Sequence, residues 1–156
     1  MRRVLLDDLD KRILNVLQED ASISNQALAE KVFSSPPTCL RRVKRLEKAG
    51  IIQKRVTLLN AQALGSDLTA IVEINLTQQS AEVFDDFESL IVSENSVKQC
   101  YRVTSGPDFI VILQVPDMNA YHELVGKLFT ATNHVRNVRT FFSTYRSKFD
   151  TTVTLA

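Results

Sequence analysis

Residues 34–50 read SSPPTCLRRVKRLEKAG, and this stretch decides the fold of the amino-terminal part of the chain. It carries five cations and one carboxylate, in a chain of 156 residues whose formal net charge is +1. Ser35 is placed to cap a helix, Pro36 suits the first helical turn, and Gly50 suits a left-handed closing residue. The sequence therefore predicts a helix over residues 36–49.

The predicted helix has two chemically different sides. At about 100° per residue, one arc holds the apolar side chains Cys39, Leu40, Val43 and Leu46. The opposite side holds the polar and cationic set Thr38, Arg41, Arg45 and Lys48, flanked by Arg42 and Lys44. We therefore expect the apolar arc to pack inward and the cations to share the solvent face.

Two helices are predicted upstream of it. Residues 8–19 place Leu9, Ile13, Val16 and Leu17 at helical spacing behind a cap at Asp7 or Asp8, and residues 24–32 predict a short helix capped by Ser24. Residues 51–59, IIQKRVTLL, are β-prone and predict either a two-stranded wing or one strand leading out of the domain. This order predicts a winged helix-turn-helix.

A basic helix in third position is typical of a DNA-recognition helix, although a cationic surface alone is more often just a solvated face. In the major groove, Arg can bond guanine in a paired fashion, and Thr can contact a polar base edge or a thymine methyl. The hypothesis is that bases are read by Thr38, Arg41 and Arg45. Phosphates would be held by Arg42, Lys44 and Lys48, with Ser35 at the helix start.

The charge is unevenly distributed along the chain. Residues 1–60 carry 12 Lys and Arg against 7 Asp and Glu, whereas residues 61–156 carry 7 against 11. No apolar run has the length of a membrane span, and the two cysteines, Cys39 and Cys100, have no metal-ligand spacing. We expect a cytoplasmic protein without metal, with both cysteines reduced.

The periodicity changes at Leu68 and predicts a second domain. Residues 68–76 alternate as a strand, 80–91 predict a helix, 96–104 and 108–115 predict strands, 118–132 predict a helix and 135–146 a last strand. This β-α-β-β-α-β order predicts a ferredoxin-like unit and an α+β chain. The expected boundaries are 1–59 for the DNA-binding domain, 60–67 for a linker and 68–156 for the second domain.

Nearly the full length of the chain resembles the leucine-responsive regulatory protein/AsnC family of transcription regulators. Three stretches carry the resemblance. They are LDDLDKRILNVLQED at 6–20, which resembles the opening signature of the family, SPPTCLRRVKRLEKAGII at 35–52, which resembles its recognition helix, and CYRVTSGPDFIVILQV at 100–115, which resembles a turn in its carboxy-terminal domain.

The resemblance implies double-stranded DNA as a partner and a small effector, often an amino acid, with no cofactor. It also implies homo-oligomers, as dimers that assemble further to tetramers or octamers, in the nucleoid of a bacterium or archaeon. The candidate effector residues that it marks are Ser105, Gly106, Pro107, Asp108 and Thr140.

The chain departs from the family pattern in two turns. Ser34 stands where the family usually has Leu before the capping Ser. In the effector turn, the usual glycine position holds Ser105, and Gly106 and Pro107 follow, which predicts a stiffer loop. For Asp108 the competing interpretation is that its carboxylate hydrogen-bonds nearby backbone of the turn, and for Thr140 that it only satisfies a strand preference.

Several functional classes are weighed. His122 and His134 lack partners for catalysis or metal binding, and no phosphate loop or nucleophile motif is present, which predicts that the protein is not an enzyme. We expect a sequence-specific transcription regulator of amino-acid or related metabolism that responds to an amino-acid-like effector. The alternatives are an architectural DNA-binding protein with little effector control, and an amino-acid sensor whose DNA-binding half is vestigial.

Overall fold

The computed structural model describes residues 5–66 and 68–155, and these form two units. The first unit comprises Met1–Leu58 together with Lys148–Ala156, and the second comprises Leu59–Ser147. The carboxy-terminal segment that the sequence places with the second domain thus lies with the first unit. Each unit has its own hydrophobic core.

The first unit contains three helices, α1 (Asp8–Glu19), α2 (Asn25–Lys31) and α3 (Pro36–Lys48). Asp7 caps α1, because its carboxylate accepts from the Asp10 N–H at 2.9 Å while the Asp10 carboxylate accepts from the Asp7 N–H at 3.1 Å. The predicted cap of α2 is confirmed, since Ser24 Oγ accepts from the Ala27 N–H at 3.1 Å.

Helix α3 begins at Pro36 as predicted and ends at Lys48, one residue before the predicted end, but its cap works differently from the expectation. Ser35 occupies the N-cap position without a side-chain bond to the backbone; its hydroxyl bonds the Thr38 hydroxyl instead. At the other end, Gly50 has a φ of +71°, and the N–H groups of Gly50 and Ile51 donate to the carbonyls of Glu47 and Leu46. This is a Schellman closure, which requires the left-handed residue that glycine favours.

The carboxy-terminal segment completes the first unit. The Gln18 side chain pairs with the backbone of Val153 twice, accepting from its N–H at 2.5 Å and donating to its carbonyl at 3.2 Å. Leu155 packs against the core of the three helices. The segment is thereby held on α1 by bonds that resemble a strand pairing.

The predicted wing strand is not formed. Residues 53–60 run without helix or strand, and the exposed side chains there include Val56 and Leu58. A β-prone sequence needs a partner strand before a ladder forms, and none is provided within residues 5–66 and 68–155. The segment that follows, expected as a linker, forms a short 3-10 turn at Gln62–Leu64.

The second unit has the predicted β-α-β-β-α-β order. Its elements are β1 (Leu68–Leu76), α4 (Ala81–Val92), β2 (Val97–Arg102), β3 (Phe109–Val115), α5 (Met118–Leu128) and β4 (Val135–Phe142). The strands form one antiparallel sheet in the order β2-β3-β1-β4, so β3 is central as predicted.

The sheet buries one face and leaves the other open. Alternate residues of β1 and β3 are buried, among them Val72, Ile74 and Val111, together with Phe87 of α4 and Leu128 of α5. The other face carries an apolar row across three strands, in which Ile71 pairs with Phe141 on one side and Ile112 on the other. Ile71 is 37% exposed and Phe141 is 41% exposed.

Candidate DNA interface and effector site

Helix α3 is anchored by a narrower apolar side than the sequence predicts. Cys39, Val43 and Leu46 are buried, whereas Leu40 is 46% exposed. The assignment of Leu40 to the packed arc is therefore wrong. The reason is angular, because at about 100° per residue Leu40 lies on the flank of the buried arc, and α1 and α2 cover only its centre.

The turn between α2 and α3 is fixed by a side chain of α2. The Asn25 amide donates to the Pro36 carbonyl at 2.8 Å. Ser35 Oγ donates to Thr38 Oγ1 at 2.8 Å, which holds the Thr38 side chain over the first turn of α3. The amino-terminal turn of α3 is thus positioned by α2 and presents small polar groups.

Three cations project from the solvent side of α3 without an ion pair in the part of the chain that the structure describes. They are Arg41, Lys44 and Lys48, and all three are exposed. Their charge is therefore available to a polyanion at little cost, since no internal partner has to be given up.

The other two arginines of α3 are held by acids of α1. Arg42 Nη1 donates to Asp7 Oδ2 at 2.5 Å and to Asp10 Oδ1 at 3.2 Å, and Arg45 Nη2 donates to Asp10 Oδ2. Asp10 is fully buried, whereas the side chain of Arg45 stays 48% exposed and that of Arg42 23% exposed. This Asp7–Asp10–Arg42–Arg45 group, the acid–arginine cluster, ties α1 to α3.

The acid–arginine cluster shifts the pKa values of Asp7 and Arg42. The pKa of Asp7 is lowered from its ordinary 3.8, first by the hydrogen bond from the Asp10 N–H and then by the bond from Arg42. The pKa of Arg42 is raised, chiefly by its hydrogen bond to Asp7. Both groups therefore stay charged at neutral pH, as the pairing requires.

In the second unit, the Asp108 carboxylate is buried, and each of its two oxygens accepts a hydrogen bond. It accepts from the Leu76 N–H at 2.7 Å and from the Gln79 amide at 3.2 Å. The Asp108 N–H donates to the Ile74 carbonyl at 2.9 Å. The side chain bonds backbone, as the competing interpretation expects, but at the irregular end of β1 and not within its own turn.

The remaining candidate effector residues are distributed over two places. Ser105 and Gly106 are exposed in the β2–β3 turn, and Ser105 has a φ of +62°, so Ser105 takes the left-handed conformation at the position where the family has Gly. Thr140 shares a 2.6 Å hydrogen bond with the Tyr121 hydroxyl. Because β1 separates β3 from β4, the structure does not bring Thr140 to the Asp108 turn.

Comparison with known families gives each unit a counterpart. The family described as winged helix-turn-helix DNA-binding matches residues 6–53, and the Lrp/AsnC ligand binding domain matches residues 69–153. The second match alone spans more than half of the chain. The protein belongs to the Lrp/AsnC family of transcription regulators. It therefore combines a helix-turn-helix for DNA with a domain that in this family binds ligands.

Individual relatives agree with the family. This Lrp/AsnC protein is 38% identical to the leucine-responsive regulatory protein of Escherichia coli K12 over 136 residues, which cover 87% of this chain and 83% of the relative. It is 37% identical over 150 residues to an uncharacterized HTH-type transcriptional regulator of Haemophilus influenzae, covering 96% of this chain and 89% of the relative.

Solved structures of the family share the whole fold. An AsnC family regulator from Agrobacterium tumefaciens superposes with a TM-score of 0.90 at 30% identity, covering 96% of this chain and 97% of that one. A Neisseria meningitidis regulator solved as an L-Met complex superposes with a TM-score of 0.87 at 31% identity, with the same coverage of 96% and 97%. The α+β class predicted from sequence is thereby confirmed.

The Lrp/AsnC chain also uses residues that the sequence interpretation did not single out. Asp10 stands at i, with Ile13, Leu14 and Leu17 at i+3, i+4 and i+7, so the carboxylate shares the buried stripe of α1. An acid on such a stripe signals a buried ionic partner, because an unpaired buried charge is costly. That signal was present in the sequence and pointed to a cation elsewhere in the domain.

Two further observations concern the described part of the chain only. Within it, no three side chains of His, Cys, Asp or Glu come together as a metal site. In the same residues, no helix has both the length and the apolar character to cross a bilayer.

Proposed function

We propose that this Lrp/AsnC regulator reads its operators through the exposed face of α3. The proposal rests on a difference among the five cations of α3. Arg41, Lys44 and Lys48 make no ion pair within the described residues, so their charge can meet DNA. Arg42 and Arg45 are instead bound by the acids of α1, Asp7 and Asp10. Arg41 and Thr38 are the leading base contacts. Lys44 and Lys48 contact phosphates.

The two clustered arginines take a narrower role than the sequence hypothesis gave them. One edge of each guanidinium is committed to α1, so only the remaining N–H donors of Arg45 can face a base and those of Arg42 a phosphate. If Arg45 left Asp10 to contact DNA, the fully buried Asp10 carboxylate would lose one of the cations that offset the cost of burying its charge. Both arginines therefore act from fixed positions, and Ser35 acts by orienting Thr38.

The test begins with DNA sequences selected from a random pool by the full-length protein. Arg41→Ala should lose about 1–3 kcal/mol on the selected site and relax the preference at one base position. Lys44→Ala should weaken all sequences alike and lower the salt slope by about one. Arg12→Ala is the matched control, because Arg12 is an exposed arginine of α1 in the same unit.

Equal losses for Arg41→Ala and Arg12→Ala would show that only the overall charge matters, and would refute the reading role. The same selection separates a regulator from an architectural protein. A regulator enriches a palindrome, whereas an architectural binder enriches deformable A/T-rich DNA without one. The intact cationic face of α3 favours DNA binding over a sensor with a vestigial helix.

We propose that the second unit binds an amino-acid effector at the exposed β2–β3 turn. The L-Met complex of the Neisseria relative supports an amino acid as the ligand class. Ser105 and Gly106 offer exposed backbone there, Pro107 stiffens the turn, and the buried Asp108 carboxylate holds the turn against β1. In this arrangement Thr140 shapes β4 through Tyr121 and is the weaker candidate.

Thermal shift against the twenty amino acids tests the effector, because a ligand of the folded state raises the melting temperature. In Ser105→Asn, which adds bulk to the turn but tolerates its left-handed conformation, the effector should no longer raise the melting temperature. Thr144→Val, an exposed site after β4, is the control and should keep the shift. No shift with any amino acid would contradict the proposal. In this view the protein binds and regulates, and does not catalyse.

Homo-oligomerisation is proposed through the open face of the sheet. The row Phe141–Ile71–Ile112 is an apolar surface across adjacent strands, and a second copy would bury it. Ile71→Glu should lower the mass seen by light scattering. Val92→Glu, an equally apolar exposed site on α4, should not. Further assembly to tetramers or octamers in the nucleoid remains part of the proposal.

A further inference from the structure

Phe33, in the connection between α2 and α3, departs from two local rules at once. Its φ is +55°, a left-handed conformation that residues with a side chain rarely adopt, and its side chain is 90% exposed. An aromatic residue normally gains its stabilisation by burial, and a left-handed position normally favours glycine. Neither preference explains a phenylalanine here.

The backbone conformation at Phe33 follows from the way α2 ends. The Ser34 N–H donates to the Ala29 carbonyl at 2.9 Å, and the Phe33 N–H donates to the Glu30 carbonyl at 3.3 Å. These are the two bonds of a Schellman closure, in which the residue at this position must be left-handed. The turn therefore needs the conformation, while the fold makes no use of the exposed ring.

The location supplies a use for the ring. Phe33 lies two residues before Ser35, the N-cap of α3, and a recognition helix brings its first turns to the base edges of the major groove. Phe33 therefore presents an exposed aromatic ring next to the helical turns that would enter the groove. Phenylalanine is among the residues that contact the C5-methyl group of thymine there.

We propose that Phe33 is a specificity-determining residue that contacts a thymine methyl group beside the bases faced by Thr38 and Arg41. The inference rests on the proposed DNA-reading role of α3. The chemistry is apolar, so the ring adds discrimination between thymine and the other bases without adding charge. The strain at Phe33 is retained because the turn must present an aromatic side chain outward.

The test pairs protein variants with modified DNA. Phe33→Gly should raise the melting temperature of the DNA-binding unit by about 2–6 °C, since glycine accepts the left-handed conformation. The same variant should bind the selected site about fourfold more weakly, the value of one buried methyl group, with binding to random DNA unchanged. Phe33→Asn, which also tolerates this conformation, should behave alike.

Replacing the contacted thymine by uracil removes only the methyl group. Wild-type protein should lose about fourfold at one such position, and Phe33→Gly should lose nothing further there, because the two changes remove the same contact. His134→Gly is the matched control, since His134 is also left-handed, with a φ of +61°, but lies in the other unit and in neither proposed binding surface. It should raise the melting temperature without changing DNA binding.

Three results would overturn the inference. They are a lower melting temperature in both Phe33 variants, equal losses on selected and random DNA, and independent losses from the uracil and Phe33 changes. Arg41→Ala measured in parallel separates the two proposals. If Arg41→Ala weakens the selected site and Phe33→Gly does not, only the role of Phe33 fails; if neither does, the reading role of α3 fails.

Discussion

Asp10→Asn should destabilise the first unit selectively, because Asp10 is the buried centre of the acid–arginine cluster. Its carboxylate accepts from the Asp7 N–H at 3.1 Å, from Arg42 at 3.2 Å and from Arg45, and its exposed fraction is zero. An asparagine fills the same space but carries no charge. It also turns an NH₂ group, a donor, toward one of these donors.

The magnitude follows from these contacts. A hydrogen bond to a charged group contributes about 1.5–3 kcal/mol, and breaking a fully buried ion pair costs about 3–5 kcal/mol. Arg45 is half exposed and Arg42 a quarter exposed, so water can partly replace the lost acceptor. We therefore expect a loss of about 2–4 kcal/mol in the free energy of unfolding of this unit.

Native-state hydrogen exchange, read by mass spectrometry, measures the free energy of unfolding of the first unit without assuming that the two units unfold together. Amide protection in α1 and α3 should fall roughly 30- to 800-fold, the same energy expressed as a ratio. Protection in β1 and β3 should not change. Asp8→Asn, an exposed neighbour on α1, is the control, and similar losses in the two variants would refute the reasoning.

Three further outcomes are expected. Asp108→Asn should cost the second unit about 1–3 kcal/mol in urea unfolding, because the Leu76 N–H loses a charged acceptor in a buried site; an unchanged midpoint would contradict this. Asp7, with its lowered pKa, stabilises the fold above about pH 4 and loses that effect as the pH falls below it, so Asp7→Asn should flatten the acid limb of a stability profile. Gln18→Ala should release the backbone of Val153, which limited proteolysis would detect as faster cleavage of the carboxy-terminal segment.

Most of the architecture could be predicted because it depends on local chemistry. The caps Asp7, Ser24 and Asp117 and the left-handed Gly50 are set by neighbours within a few residues, and the sequence shows those neighbours directly. The strands of the second unit were predictable because alternation marks one buried face. The strand expected at 51–59 failed because a strand depends on a partner that its own sequence does not name.

The candidate site was harder to predict, because its chemistry is settled between residues far apart in the chain. A helical wheel places Arg45 on the outer half of α3, and that position is correct, since the side chain remains 48% exposed. The wheel cannot show that one edge of the guanidinium is bound to Asp10, 35 residues earlier. In the same way, the sequence pattern cannot show that the Asp108 carboxylate accepts from the N–H of Leu76, 32 residues earlier.

The two buried carboxylates also suggest that the residues that hold each binding surface in place differ from those that contact the ligand. Asp10 and Asp108 are the two buried charged residues of the described chain. Asp10 bonds Arg45 of α3, and Asp108 follows the exposed turn residues Ser105 and Gly106, so each is linked to a surface that we propose for a ligand. A buried carboxylate that accepts several bonds tolerates little movement, because any lost bond leaves a desolvated charge. Each therefore fixes its surface without touching the ligand. Such a residue should be intolerant to substitution even in assays of folding, whereas Arg41 should matter only when DNA is present.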